Sequence, residues 1–322
     1  MPTGGQGPGR PSQRGPAALR AAVDFGGDGL STWGLLVLVL SGAAFGLLVL
    51  YGDYEAWDAH ERAFARHSGA FGLWVGLMCA QTALWALALA WLLPVVRRLR
   101  LEYGDENRSE RIGSTAVILV LIVALAIGGP RRSHWPDYIQ NHTYKIAFLT
   151  IVGALVGLVA AEGVWLVHGG LKRLAASDLR GDLSVPTYLS LQADLNRFLA
   201  VLGAILGLIV LSASAQRETV LAFRHNTNFP YEGVLLYGFF FSLLVAAVYL
   251  PAHLTLARVG GEIREACFPV VPPTAPAWKE RTAERATLAG ILGLDVDLVS
   301  RFRTSVAIVS PLIGSLVGLL LR

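Results

Sequence analysis

Long apolar stretches separated by short polar ones set the pattern of this chain. Each apolar stretch has about the length needed to cross a bilayer, roughly 20 mainly apolar residues. Seven such runs are read, at 33–51, 70–96, 112–129, 146–168, 197–215, 231–254 and 304–321, the third being the shortest. Runs this long also occur in buried core helices, but here too little polar chain is left to cover them. The pattern predicts an all-α integral membrane protein, a polytopic helical bundle with about seven transmembrane helices, or six if the third run is not a span.

The polar stretches divide the rest. Residues 1–29 are rich in Gly, Pro and Arg with almost no large apolar side chains, so they are expected to form a disordered cytoplasmic tail. A cleaved leader is not expected, because acidic residues follow the first run and no clear small-x-small cleavage site is present. Residues 30–254 are expected to form a six-helix membrane bundle with a structured connection near 169–196. There Pro186 suits the first turn of a helix, and the following residues run without a breaker into the fifth span. A helix from Thr187 to Ser214 would be about 42 Å long and would protrude from the membrane. Residues 255–303 read as a Pro-containing linker and then an amphipathic helix lying along the membrane. Residues 304–322 are read as a C-terminal transmembrane helix.

Composition agrees with this division. Charged residues make up only 16% of the chain, against about 25% in soluble proteins. The net charge of +4 does not indicate nucleic acid, because the basic residues fall in short clusters beside apolar runs, as membrane topology requires. With the N-terminus in the cytoplasm, nineteen of the 27 Lys and Arg residues lie on the cytoplasmic side. That bias predicts a plasma or inner membrane protein with a cytoplasmic N-terminus and an extracytoplasmic C-terminus. Arg131, Arg132 and Lys145 dissent, since they make one outer loop basic. Abundant Ala and Gly with only three Lys suggest a bacterial genome.

Candidate chemistry is sparse. Glu162 is the only Asp, Glu, Lys or Arg in the interior of any of the apolar runs, Arg197 and Glu232 standing at the very start of theirs. It lies about 24 Å along the fourth span from Ile146, on the face opposite Gly153, Gly157 and Ala161. The small residues are expected to take a close-packed helix, and the carboxylate a polar partner or a wet cavity. An interfacial cation such as Arg97 or Arg197 is in reach. Small-xxx-small pairs at Gly42/Gly46, Gly153/Gly157, Gly203/Gly207 and Gly314/Gly318, the last extended by Ser310, predict close helix packing within the chain or between copies. Pro311 removes a helical hydrogen bond and predicts a kink in the last span.

Five of the seven histidines, His60, His67, His134, His142 and His225, fall in the predicted outer segments. With Asp58, Glu61 and Asp137 nearby, they form a weak candidate set for a transition metal, although no HxxxH or HExxH spacing is present. Cys79 and Cys267 lie in different settings and suggest no disulfide. The Asn-x-Ser/Thr matches at Asn107 and Asn141 are weak. No Walker loop, GxGxxG, GxSxG elbow or HExxH occurs, so the chain is read as non-enzymatic and without a cofactor. Two function classes remain. One is transport or channel activity, with Glu162 as a buried cation- or proton-binding carboxylate. The other is a membrane scaffold or sensor acting through the outer His-rich loops and the inner amphipathic helices. The expected partners are the lipid bilayer and a second copy of the chain, not nucleic acid.

Overall fold

The computed structural model describes residues 31–104, 139–224, 231–274 and 276–294, with scattered positions between 108 and 119 and at 310, 311 and 313. The predicted tail and the expected spans at 112–129 and 304–321 lie outside the described residues, apart from those scattered positions. The described elements are all helical: α1 (Thr32–Tyr51), a 3-10 turn (Tyr54–Ala56), α2 (Ala59–His67), α3 (Gly69–Tyr103), α4 (His142–Ala175), α5 (Ser184–Phe223), α6 (Glu232–Cys267) and α7 (Trp278–Ile291). Five of them, α1, α3, α4, α5 and α6, are long and apolar enough to cross a membrane.

Local chemistry sets the starts and stops. The Ser31 hydroxyl accepts from Gly34 N at 3.1 Å, capping α1. Asp58 and Glu61 form a reciprocal capping box at the start of α2. Ser68 ends α2 and caps α3, its hydroxyl accepting from Phe71 N at 3.3 Å. After α7 the chain turns at Gly293, whose φ of +68° favours a residue without a Cβ.

The long helices outrun their apolar cores. At 40 residues α5 is about 60 Å long, twice a hydrocarbon core of about 30 Å. It begins three residues before the expected Thr187 and continues nine beyond Ser214. The extension beyond Ser214 carries no Gly or Pro, and its polar side chains find partners on the helix or its neighbours. Thr219 Oγ1 donates to Ala215 O at 2.9 Å and lies 3.1 Å from Ala70 O, while Gln216 Nε2 lies 3.0 Å from His142 Nε2. Likewise α6 runs to Cys267, past the expected boundary at 254, so the Pro-rich break is confined to the stretch between α6 and α7. Pro94 in α3 and Pro251 in α6 are both accommodated within helices. Each removes a hydrogen bond to the carbonyl four residues earlier, at Ala90 and Ala247. Ser310 and Pro311 are helical, but any bend at Pro311 lies outside the described residues.

α3 is the hub, packing against α1, α4 and α5, while α4, α5 and α6 pack on one another. The α1 contact is backbone to backbone: a Cβ added at Gly42 would lie 2.7 Å from Ala83 Cα, and one at Gly46 2.5 Å from Thr82 Oγ1. Trp85 of α3 fills the space beside Gly153 of α4, where a Cβ would come within 2.5 Å of the indole. A Cβ at Gly157 would meet nothing within 4 Å among the described residues. Gly203 and Gly207 face Ser310, whose hydroxyl donates to Gly203 O at 2.7 Å. Gly314 and Gly318 lie outside the described residues.

Contacts sort the polar segments into two ends. At one, α2 and the starts of α3, α4 and α6 meet the close of α1 and α5, through His60 and Phe64 on Phe223 and Arg217 on Tyr231. At the other, the close of α3, α4 and α6 meets the start of α5, through Arg98 on Asp194, Arg100 on Glu162 and Arg180 on Ala266 O. We call these the Trp57 end and the Asp194 end. Gly104 sits at the Asp194 end and Ile139 at the Trp57 end, so the chain leaves α3 at one end of the bundle and re-enters it at the other.

Substituting Gly42 by Ala should lower stability in detergent by about 1–3 kcal/mol, since backbone cannot give way as a flexible side chain can. Gly157→Ala should leave the thermal midpoint close to that of the parent. Equal midpoints for the two variants in a thermal unfolding series would contradict the packing described for α1 and α4.

Candidate functional site

The charged groups of the Asp194 end form the most organised polar site, and Glu162 belongs to it. The Glu162 carboxylate does not look into an empty cavity. Arg100 Nη2 donates to both of its oxygens, at 2.7 and 2.8 Å, tying α4 to α3. The Glu162 side chain keeps 23% exposure and that of Arg100 59%. The partner is thus neither Arg97 nor Arg197 but the arginine one turn beyond Arg97, whose long stem reaches back along the helix. A pair this open to water contributes about 0–1 kcal/mol.

Asp194 is more deeply placed. It is 3% exposed, on the first third of α5, where it accepts from Arg98 of α3 and from Arg197 at 3.3 Å. Arg197 also lies over the Trp91 ring at 5.0 Å, a cation–π contact back to α3. Arg98 Nε is buried with no hydrogen-bond partner among the described residues. A buried carboxylate between two guanidinium groups is the arrangement in which removing one member costs most, because the remaining charges stay desolvated. In the sequence neither residue stands out: Arg98 is one of several basic residues after an apolar run, and Asp194 is an acid in the stretch expected to protrude from the membrane. The available signal was their symmetry, a basic cluster just after one apolar run and an acid just before another.

Further links complete this end. Arg173 Nη1 donates to Glu102 O at 2.8 Å, and Tyr103 packs beside Gly170. An open cleft of about 570 Å³ lies between the end of α3, the end of α4 and the start of α5, lined by Glu102, Tyr103, Arg173, Asp178 and Thr187 among others. α7 docks nearby, with Leu288, Ala289 and Leu292 buried and Arg285 bonded to Glu265 and, at 2.6 Å, to Phe268 O. Tyr188 OH donates to Leu292 O at 3.3 Å.

The Trp57 end is built differently, from stacked aromatic rings around Asp53. Tyr51 stacks on Trp57 at 5.5 Å, and Trp57 Nε1 donates to Asp53 at 2.8 Å. Asn141 donates to the other Asp53 oxygen at 3.1 Å from a left-handed backbone with φ of 59°, a conformation Asn tolerates. Lys145 pairs with Asp53 and donates to Leu50 O at 3.0 Å. One charge of the dissenting basic loop is therefore neutralised inside the bundle.

Among the described residues, the candidate metal ligands His60, His67 and His142 are not brought together. His60 packs on Phe223, His142 is buried against Trp74 and Gln216, and His67 is exposed, while His134 and His225 lie outside the described residues. Among the described residues no three of His, Cys, Asp or Glu are grouped as metal ligands would be. Cys79 and Cys267 are both free thiols. In mid-bundle, Thr82 satisfies its hydroxyl on Met78 O and Cys79 O. Gln81 Oε1, Ser212 Oγ and Ser214 Oγ are buried without a partner among the described residues.

No family model, curated protein or solved structure matches this chain. Its site is therefore read from its own geometry.

Asp194→Ala should destabilise the protein by about 2–3 kcal/mol, because it removes the acceptor that Arg98 and Arg197 share. Glu162→Gln should cost under about 1 kcal/mol, as befits a half-exposed pair. Unfolding in mixed micelles measures both, and a larger loss for Glu162→Gln would reverse the ranking of the two carboxylates.

Proposed function

We propose that this chain is a multi-pass bacterial protein of the plasma or inner membrane, of the transport or channel class, in which Glu162 is the carboxylate that takes up a cation or proton. The observation that carries this reading is the Glu162–Arg100 pair between α4 and α3. An ionisable residue within a membrane helix is a functional hypothesis by default. Here its resting partner is a guanidinium that is permanently charged but loosely held. A proton or cation and Arg100 compete for the same two oxygens, so occupancy of Glu162 is coupled to whether α3 and α4 stay tied. Coupling of that kind between charge exchange and helix contact is what an alternating-access protein needs.

The reading extends to seven spans with the N-terminus cytoplasmic and the C-terminus extracytoplasmic. In its support, Gly104 and Ile139 stand at opposite ends of the bundle, as a span at 112–129 requires. Ser310 meets the middle of α5 at Gly203, as a final span at 304–321 requires. The concentration of basic residues at the Asp194 end supports placing that end in the cytoplasm. Small-residue faces remain the proposed route to a homo-oligomer.

A second reading, a non-enzymatic scaffold or sensor, is favoured by the ordered elements outside the spans, α2 with its capping box and α7 anchored by Arg285.

Flux into proteoliposomes with and without an imposed pH gradient separates the two. Under the transport reading, Glu162→Gln abolishes flux or its dependence on the gradient while expression is unchanged. Unaltered flux in Glu162→Gln takes Glu162 out of the route, whereas no flux from the parent protein across a panel of inorganic cations and protons leaves the scaffold reading. Single cysteines at Ser12, Ser68, Ser109, Thr143, Thr187 and Thr227 in a Cys-free background should label alternately from inside and outside, starting inside. Labelling of positions 109 and 143 from one side would remove the third span.

A further inference from the structure

We infer that the last nine residues of α3, Val95–Tyr103, form a hinged element that ion pairs hold shut against α4 and α5. The hinge is Pro94, which leaves the Ala90 carbonyl without its helical donor and sits on an exposed face of the helix. Beyond it, successive residues are tied to two different helices. Arg98 reaches Asp194 of α5, Arg100 reaches Glu162 of α4, and Glu102 O accepts from Arg173 of α4 at 2.8 Å. Tyr103 closes the segment against Gly170, where a Cβ would lie 3.1 Å from its ring.

Three features make this a latch rather than a uniform helix end. The ties are concentrated on one side of the single proline in α3. The Arg100–Glu162 tie is open to water and thus to exchange with solvent ions, whereas the Asp194 tie is buried. Arg98 Nε is buried with no acceptor among the described residues, so the closed arrangement does not satisfy all of its own donors. Leu101, Glu102 and Tyr103 also form one wall of the 570 Å³ cleft. Movement about Pro94 therefore widens or narrows that cleft. The segment is about 13 Å long, so a further bend of about 20° displaces its tip by roughly 5 Å. The inference goes beyond the transport reading and holds whether or not anything crosses the membrane.

The test is a distance measurement by pulsed electron paramagnetic resonance in nanodiscs. Spin labels are placed at Leu101→Cys, an exposed position near the tip, and Ala176→Cys in a background carrying Cys79→Ser and Cys267→Ser. The parent should give one narrow distribution. Glu162→Gln combined with Asp194→Asn should add a second component displaced by roughly 4 Å, the shift a bend of about 20° produces seven residues beyond Pro94. Adding Pro94→Ala to that variant restores the helical donor at position 94 and should collapse the distribution towards the parent. The exchange Arg100→Glu with Glu162→Arg keeps a tie and should stay narrow. An unchanged distribution in the neutralised variant overturns the inference, as does a displaced component that survives Pro94→Ala. Should the double neutralisation fail to reach the membrane, Glu162→Gln alone decides, and a distribution as narrow as the parent's counts against the latch. Flux plays no part in this readout, so its outcome is separable from that of the transport reading.

Discussion

Five described helices are long and apolar enough to cross a membrane. In lipid they would have no reason to prefer one another over acyl chains, and holding them together would fall to contacts other than hydrophobic burial. In the described structure that role falls on α3, which uses a different device on each side. Toward α1 it offers backbone, with Gly42 and Gly46 allowing an approach that any side chain would block. Toward α4 it offers bulk, with Trp85 seated against Gly153 and Trp74 against His142. Toward α5 and the end of α4 it offers charge, through Arg98 and Arg100. Loss of α3 would leave α1 without its main packing partner.

The two ends of the bundle solve the same problem by unlike chemistry. At the Trp57 end, Asp53 takes bonds from Trp57, Asn141 and Lys145 inside a shell of aromatic rings, so a basic loop residue is absorbed locally. Rings with one polar edge suit that level of a membrane protein. At the Asp194 end the partners are guanidinium and carboxylate groups on separate helices, with few rings between them. Aromatic packing is broad and cumulative, whereas an ion pair is localised and exchangeable. The end built on exchangeable contacts is also the one that contains Glu162, the open cleft and the docked α7.

Glu162 was legible in the sequence because a lone charge within an apolar run stands out without any knowledge of neighbours. Its partner was not, since Arg97, Arg98 and Arg100 are equivalent as text and only the rotation of α3 against α4 selects Arg100. Asp194 was invisible for a related reason. It lies in a polar flank where acids are ordinary, and its burial arises only because α5 continues as helix beyond its apolar core and brings that flank against α3. The histidines differ again: the described ones, His60, His67 and His142, share no neighbour, since His60 packs on Phe223 and His142 on Trp74 while His67 is exposed.

By itself the sequence determined what depends on composition and period. The apolar runs, the helical class, the division of polar segments into two sets and the capping of α2 and α3 each follow from local side-chain chemistry or from the cost of placing charge in hydrocarbon. Only the tertiary structure decided which glycines are needed. Among the described residues Gly42 and Gly153 meet the atoms of a neighbouring helix and Gly157 does not, although all three belong to the same kind of motif. It also decided which arginine meets which acid and that Pro94 stands directly before the residues that tie three helices together. Those outcomes depend on the rotation and crossing of one helix against another, which the sum of many contacts fixes and no single stretch of sequence encodes.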